Sequence, residues 1–297
     1  MIPASFLWVV FTIFGSLGQV VRNAAQRSLI DSIGTIGATQ VRFLFGLPFA
    51  ALFLILLHFS TGEALPVIGA TSFAWTVLGA LAQILATALM LAAMKDKSFV
   101  VTTALIKTEA VQVAAFGFVF LHESLKPLAI LAIFVATAGV MVLSWPRAIE
   151  RPAPKAIALG IIAGAFFGLS SVGYRGGILA ASGAGFVLTS TTVLTLALTL
   201  QCVVLGIYLA WRDQAAAAAI WANWRGSMLA GFVGALASEF WFLAFSQTSA
   251  ANVRTLALIE MLFALALSKL YFHQSTSRRE IFGMALVCVG VVMIVQA

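Results

Sequence analysis

Apolar stretches long enough to cross a lipid bilayer follow one another along nearly the whole chain. Each has about 18 to 26 residues, close to the number that a helix needs to span a hydrocarbon core roughly 30 Å thick. We place these segments, numbered one to ten, at residues 5–22, 35–59, 70–94, 98–120, 126–145, 155–178, 185–210, 226–246, 251–272 and 279–296. Only 9% of the 297 residues are charged, too few for a soluble protein. The sequence therefore predicts an all-α membrane protein with ten transmembrane helices.

The longest interruption between segments, residues 211–225, contains an alanine run and three tryptophans. This composition predicts a short helix lying in the membrane interface. The formal charge of +7 does not indicate nucleic-acid binding, because Lys and Arg sit in short loops and form no basic face. The lipid bilayer is the partner that the composition predicts.

The second half of the chain repeats the first. Residues 93–140 align with residues 244–291 without a gap, and this alignment pairs Glu109 with Glu260. Matches of Leu and Ala mean little in a membrane protein, but carboxyl residues are rare here. We therefore predict two related halves of five helices each.

The two predicted halves are residues 1–150 and 151–297. Because five is odd, equivalent helices must cross the membrane in opposite directions, which predicts an inverted repeat. The loop charges agree, since Lys and Arg concentrate on one face in both halves and mark the cytoplasmic side. The basic residues of that face are Arg22, Arg27, Lys95, Lys97, Arg147, Arg151, Lys155, Arg212, Arg225, Arg278 and Arg279, and the opposite face has Lys126. We predict that both termini lie outside a bacterial inner membrane, in the periplasm.

Several charged residues fall inside the segments, where an ionised side chain costs on the order of 3 kcal/mol or more. Arg22 and Arg42 lie near segment ends, so we expect them to snorkel to the membrane surface. Glu109 and Glu260 lie near the middle of segments four and nine. They are candidates for a transport site, and a role in packing through hydrogen bonds to neighbouring helices is an equal alternative. Lys107 points away from Glu109 on the helix, so these two should not neutralise each other.

Two segments combine polar residues with soft or aromatic ones at helical spacing, as small-molecule pockets do. Packing alone is the main alternative for such a pattern. The candidate substrate-site residues are Gln83, Thr87, Met90, Glu109, Glu239, Trp241, Phe245, Arg254 and Glu260. Gly160, Gly164 and Gly168 repeat at four-residue spacing in segment six, and we interpret them as a close packing surface for another helix.

Enzymatic sites are not recognisable in the sequence. It contains no GxxxxGK[ST] phosphate-binding loop, and its histidines lie near segment ends without Cys or Asp at ligand spacing. We therefore predict no catalytic residues, no metal and no cofactor. With enzymatic sites excluded, we predict a secondary transporter that works by alternating access, with its site near the middle of the membrane between the halves. A non-transporting membrane scaffold is an alternative of a different class.

Short motifs at the start of each half and in segments four and nine connect the chain to a known family. Phe14-Gly15 precedes Arg22, and Phe167-Gly168 precedes Arg175; Thr108-Glu109-Ala110 leads to His122-Glu123, and Ile259-Glu260-Met261 leads to His273-Gln274. These motifs resemble the EamA-type repeat of the drug/metabolite transporter superfamily. The chain departs from the family pattern by lacking Pro after each Glu, by having His in place of Gly twice, and by Gln274.

Within that superfamily the chain is most similar to YddG-type exporters of aromatic and other amino acids. The resemblance implies a cavity walled by segments one, three, four, six, eight and nine, with five and ten outside it. It implies export of amino acids, including aromatic ones, or of related small metabolites. A proton-coupled multidrug carrier or a nucleotide-sugar carrier is the alternative within transport. Because both repeats are in one chain, a monomer is sufficient for this architecture.

Overall fold

A computed structural model describes residues 6–94, 104–144, 154–222, 224–263, 265 and 277–297. This part of the chain is almost entirely helical, and its one pairing of extended backbone joins Val67 to Ser182. The helices, numbered in chain order, are α1 Leu7–Leu44, α2 Leu47–Thr61, α3 Ala70–Met94, α4 Glu109–Leu121, α5 Pro127–Ser144, α6 Pro154–Ala180, α7 Phe186–Arg212, α8 Gln214–Ala222, α9 Trp224–Gln247, α10 Ala250–Leu256 and α11 Arg278–Gln296.

Eight helical stretches in the described part are long and apolar enough to cross a membrane, and a further apolar helix, Leu7–Arg22, is shorter. The prediction of an all-helical membrane protein is therefore confirmed. Segment nine is described only in its first part, since residues 266–276 lie outside the described residues. The arrangement of ten helices as an inverted repeat stays a prediction. Lys95, Lys97, Arg147, Arg151 and His273, which entered the sequence argument, also lie outside the described residues.

The predicted loop between segments one and two is helical. α1 continues through residues 23–33, which contain Ala, Gln, Arg and Leu but no Gly or Pro, so nothing there stops a helix. The backbone departs from helical geometry at Gly34, whose φ of 70° has no steric cost for glycine. Arg22 therefore lies within a helix, and both Arg22 and Arg42 are buried, with 5% and 8% of their surface exposed. The prediction that these two side chains snorkel is wrong.

The chain forms two compact units, and each draws on both halves of the sequence. The first unit comprises Met1–Ile84 and Gly173–Gln247, and the second comprises Leu85–Val172 and Thr248–Ala297. A repeat reflects similarity along the sequence, whereas a compact unit reflects contacts in space. The predicted halves are therefore a separate division and remain a prediction.

In the first unit, α1 and α9 pack closely along each other at small residues. A Cβ atom added to Gly18 would lie 2.8 Å from the Cβ of Ala237, and one added to Gly15 would lie 3.2 Å from the ring of Trp241. Because side chains at these two glycines would collide with α9, their absence brings the Trp241 ring against the backbone of α1.

The predicted interface helix at residues 211–225 corresponds to α8. Ile220 of α8 is buried in an apolar cluster with Ile33, Val41 and Leu209, whereas the neighbouring Trp221 is exposed. One face of this short helix thus packs against the rest of the first unit, and the other face exposes a tryptophan, the residue type typical of the membrane interface.

In the second unit, α5 and α11 approach closely through equivalent glycines of the repeat. A Cβ atom on Gly139 would lie 2.7 Å from the backbone nitrogen of Val287, and one on Gly290 would lie 2.6 Å from the Cβ of Ala136. Distances under 3 Å to backbone atoms leave no room for a side chain. The contact between these two helices therefore depends on glycine at both positions.

Candidate functional site

Both segments that contain the paired carboxyl residues are interrupted one residue before the carboxyl. In segment four, residues 104–106 are helical, and the chain then turns at Lys107 and Thr108 before α4 begins at Glu109. In segment nine, α10 ends at Leu256, and a 3₁₀ turn over Ala257–Ile259 precedes Glu260. The two interruptions occupy equivalent positions in the sequence repeat. A mid-helix 3₁₀ turn often marks either a functional hinge or a strained stretch of sequence.

At both interruptions the backbone is wound more tightly than in an α-helix, because its hydrogen bonds span three residues instead of four. The Lys107 N–H donates to the carbonyl of Ala104 at 3.0 Å, and the Thr108 N–H donates to the carbonyl of Leu105 at 3.1 Å. The Glu260 N–H donates to the carbonyl of Ala257 in the same way. Neither turn contains Gly or Pro, so the sequence offered no signal for these interruptions.

Two ion pairs join the interrupted segments crosswise within the second unit. The Nε of Arg254 lies 2.6 Å from Oε1 of Glu109, and the Nζ of Lys107 donates to Oε1 of Glu260. Arg254 also donates to the hydroxyl of Ser171 on α6 at 2.8 Å. Each repeat carboxyl is thus neutralised by a cation from the other segment. We call Lys107, Glu109, Arg254 and Glu260 the four-charge cluster.

The four-charge cluster is largely shielded from solvent. The side chains of Arg254 and Glu109 are 14% and 11% exposed, and those of Lys107 and Glu260 are 17% and 8% exposed. Two positive and two negative charges give a formal sum of zero. A buried ion pair needs close geometry to offset the loss of hydration, and removing one partner leaves an uncompensated charge. A ligand that enters this cluster must therefore keep its charges matched.

Small residues on α6 let that helix lie against the interruption in segment four. A Cβ atom on Gly164 would lie 2.9 Å from the carbonyl oxygen of Ile106, and one on Gly168 would lie 3.1 Å from Cγ2 of Val113. Gly160, one turn earlier, is also buried. Because Gly164, Gly168 and Ser171 share one face of the helix, this close approach carries the Ser171 hydroxyl to Arg254.

The candidate residues of the first unit form a polar network beside an aromatic cluster. The side-chain oxygen of Gln83 accepts hydrogen bonds from the Tyr174 hydroxyl and from Nε2 of Gln201, both at 2.7 Å. Gln201 Nε2 also lies 3.0 Å from the Tyr174 hydroxyl. These three residues connect α3, α6 and α7. Tyr174 and Gln201 were not among the predicted site residues, since neither is exceptional in a helix of this composition.

The aromatic cluster lies on α9 and includes two predicted residues, Trp241 and Phe245, whose ring centroids are 6.4 Å apart. Phe242 lies between this pair and the polar network, with its ring 4.6 Å from that of Tyr174. Arg175 of α6 donates to the backbone carbonyl of Phe245. The rings of Trp241, Phe242 and Phe245 are all buried.

Glu239 lies on the same helix but has a different environment. It is buried, and its Oε1 lies 2.5 Å from the hydroxyl of Thr191 on α7. Its Oε2 has no hydrogen-bond partner within the described part of the chain. The remaining candidates, Thr87 and Met90, follow Gln83 along α3; Thr87 is fully buried and Met90 is half-buried.

The structure thus brings Glu109, Glu260 and Arg254 together in the second unit, and Gln83, Trp241 and Phe245 near one another in the first. Lys107, which pairs with Glu260, was not among the predicted site residues. Its position inside an apolar segment was a usable signal, because a lysine at that depth needs a partner. Among the described residues, no three His, Cys, Asp or Glu side chains are grouped as metal ligands.

Comparison with known proteins gives one family match and a structural relative. The model of the EamA-like transporter family matches residues 154–296. A protein of known crystal structure is similar over 98% of this chain and 97% of its own, with a TM-score of 0.73 and 12% sequence identity. At that identity the likeness shows the fold alone. No curated protein sequence matches the chain.

Proposed function

We propose that this protein exports amino acids, aromatic ones included, because the model of the EamA-like transporter family matches residues 154–296 and this match implies membrane transport of small metabolites. The transport mechanism is alternating access between two inverted repeats. The observation that carries the proposal is the four-charge cluster, which sits where two membrane helices are interrupted. Interrupted helices are where transporters of this general design bind polar substrates.

An amino acid matches the four-charge cluster because it brings one ammonium and one carboxylate. Its carboxylate can replace Glu109 at the Arg254 guanidinium, and its ammonium can replace Lys107 at the Glu260 carboxylate. The displaced Glu109 and Lys107 lie two residues apart at the interruption of segment four, where the backbone is not a continuous helix, so they can compensate each other and the total charge stays at zero. A ligand with only one of these groups leaves a charge uncompensated, which costs several kcal/mol in a buried site.

The same reasoning disfavours a nucleotide sugar, whose phosphates would add negative charge without a matching cation in the cluster. A carrier of lipophilic cations is the second candidate, and Glu239 is the observation in its favour. This buried carboxyl has Thr191 as its polar partner and no ion pair among the described residues. A cationic drug could compensate its charge.

Counterflow in liposomes distinguishes these candidates. Liposomes that contain the purified protein are loaded with unlabelled L-phenylalanine, and uptake of labelled L-phenylalanine is measured. The competitors are phenethylamine, which lacks the carboxylate, and 3-phenylpropionate, which lacks the ammonium. We expect both analogues to compete about 100-fold more weakly than L-leucine, because a site that pairs both groups rejects a ligand missing one. Preferential competition by phenethylamine would instead favour the cation carrier.

A matched pair of variants ties this activity to the cluster. Glu109→Gln removes one carboxylate of the cluster, whereas Glu63→Gln makes the same chemical change at an exposed carboxylate that accepts a hydrogen bond from the Gly185 N–H. We expect the first to reduce counterflow at least about 10-fold, since a loss of 1.4 kcal/mol is tenfold. The second should leave counterflow unchanged. Absence of flux with every amino acid would support the non-transporting scaffold.

The proposed location is a bacterial inner membrane, with both termini in the periplasm. It rests on the loop charges, which include Lys155, Arg212 and Arg225 on the cytoplasmic side. A green fluorescent protein fused after Ala297 should stay dark, because it does not mature in the periplasm, and an alkaline phosphatase fusion should be active. The opposite result for both reporters would reverse the orientation.

A further inference from the structure

Glu239 is a carboxyl inside a membrane-spanning helix that the four-charge cluster does not use. The side chain is 7% exposed, and the hydroxyl of Thr191 is its hydrogen-bond partner in the described structure. Its second oxygen is buried without a partner there. An unpaired charge at membrane depth costs on the order of 3 kcal/mol or more. This environment suits a neutral carboxylic acid better than a carboxylate.

The hydrogen bonds of Thr191 lead to the same conclusion by counting protons. Its hydroxyl oxygen lies 2.9 Å from the backbone carbonyl of Val187 and 2.5 Å from Oε1 of Glu239. A hydroxyl has one hydrogen to donate, and it can accept through its lone pairs. If Glu239 is protonated, it donates to Thr191 and Thr191 donates to Val187, so every contact is satisfied. If Glu239 is ionised, Thr191 must turn to it and leave the Val187 contact.

Charged groups lie on the helices around α9, but none forms an ion pair with Glu239 in the described structure. The side chains of Arg22 and Arg42 on α1 pass within 4 Å of a Cβ built on Gly234, five residues before Glu239. Arg175 binds the carbonyl of Phe245, six residues after it. The other titratable or charged groups of these helices are Arg27 and Asp31 on α1, whose side chains are not described, His58 on α2, Lys155 and Tyr174 on α6, and Cys202, Tyr208 and Arg212 on α7; α9 itself also contains Arg225.

We infer that Glu239 is a proton-binding site that couples transport to the proton gradient. The inference deepens the proposed function, on which it rests, by naming the coupling ion and its residue. The carboxylic acid releases its proton to water on one side of the membrane, and the carboxylate takes up a proton from water on the other side. No electrons move, and Thr191 changes its hydrogen-bond acceptor between the two states. Glu109 and Glu260 are already neutralised by cations and do not serve this purpose.

The transport test compares flux with and without a pH gradient in the same liposomes. Full-length protein is reconstituted, and L-phenylalanine uptake is measured first as counterflow at equal pH and then as accumulation driven by a pH difference. We expect the wild type and Glu63→Gln to accumulate L-phenylalanine with the gradient, and Glu239→Gln to lose that response. Equal gradient response in Glu239→Gln and wild type would overturn the proton site, as would a wild type that ignores the gradient. Failure of counterflow at equal pH would instead overturn the proposed substrate.

A spectroscopic test does not depend on transport. Infrared difference spectra of wild type and Glu239→Gln in lipid report the C=O stretch of a protonated carboxyl. We expect that band at neutral pH in the wild type, with loss in Glu239→Gln; a spectrum with an ionised carboxylate alone would overturn the site.

If Glu239→Gln does not fold, Thr191→Val and Thr191→Ser replace it. A hydrogen bond to a charged group contributes about 1.5–3 kcal/mol and one to a neutral group about 0.5–1.5 kcal/mol, so Thr191→Val takes more from the carboxylate than from the carboxylic acid. It should therefore shift the titration midpoint of the band by about half a pH unit or more, and Thr191→Ser should not. An unshifted midpoint in Thr191→Val would contradict the proposed switch.

Discussion

The ion pair between Glu109 and Arg254 supports a quantitative prediction about stability. Its atoms are 2.6 Å apart, and both side chains are more than four-fifths buried. Glu109→Gln would leave the guanidinium of Arg254 with the neutral hydroxyl of Ser171, at 2.8 Å, in place of a carboxylate. Breaking a buried pair by removing one partner costs about 3–5 kcal/mol, and we expect about 3 kcal/mol here for Glu109→Gln or Arg254→Gln.

The double variant Glu109→Gln/Arg254→Gln should cost no more than the larger single change, because two neutral amides leave no charge uncompensated. Single changes of about 3 kcal/mol each and a double change of at most about 3 kcal/mol give a coupling free energy of at least about 3 kcal/mol between the two positions. It can be measured as a double-mutant cycle of unfolding free energies in mixed micelles, with tryptophan fluorescence as the signal.

A second cycle serves as the control. Glu109→Gln is combined with Lys126→Gln, an exposed lysine in the loop after α4, and these changes should add within about 0.5 kcal/mol. A coupling free energy below about 0.5 kcal/mol for Glu109 and Arg254 would refute the ion pair as a stabilising contact. It would also remove the charge-matching argument for an amino-acid substrate.

Three further predictions concern stability, each measured by thermal unfolding in detergent. His122→Gly should raise the free energy of unfolding by about 1 kcal/mol, because His122 ends α4 with a φ of 53° that glycine adopts without strain; no change would contradict this. Gly139→Ala should lower it by about 1–3 kcal/mol through collision with α11, whereas Gly206→Ala, with its nearest neighbour 3.8 Å away, should not lower it; equal effects would contradict the close packing. Tyr174→Phe should lower it by about 1–2 kcal/mol by leaving Gln83 and Gln201 short of a partner, and the exposed Tyr208→Phe is its control.

Most of the helices could be predicted from the sequence because the bilayer imposes a length on each apolar run. α3 begins and ends at the predicted residues, and α5, α6 and α11 differ from the prediction by one or two residues at their ends. The predictions failed where helix continuity was judged from polarity. Residues 23–33 are polar enough for a loop but contain good helix formers, so α1 continues to Gly34. The turns before Glu109 and Glu260 have no glycine or proline, so only tertiary contacts can account for them.

Three of the four residues in the four-charge cluster were candidates from the sequence, but Lys107 was not, and the pairing of the four could not be predicted. The repeat singled out Glu109 and Glu260, and helical geometry indicated that Lys107 faces away from Glu109. Which cation meets which carboxylate depends on how two segments pack, and no local pattern encodes that. The burial of Arg22 and Arg42 was missed for the same reason, since Gly234 on α9, against which both pack, is far away in sequence.

The repeat matches the carboxyls of the cluster but not its cations. The position equivalent to Lys107 in the second half is Leu258, and the position equivalent to Arg254 in the first half is Thr103, so each cation is present in one half alone. The two ends of the cluster therefore differ chemically. Arg254 presents a planar fork of donors that fits a carboxylate with two hydrogen bonds, whereas Lys107 presents a compact ammonium. This difference gives a zwitterion one preferred orientation, with its carboxylate toward Arg254.

Arg254→Lys would keep the charge and lose the fork, so it should weaken L-phenylalanine counterflow, whereas Lys107→Arg should weaken it less. Equal effects of the two exchanges would refute the proposed orientation.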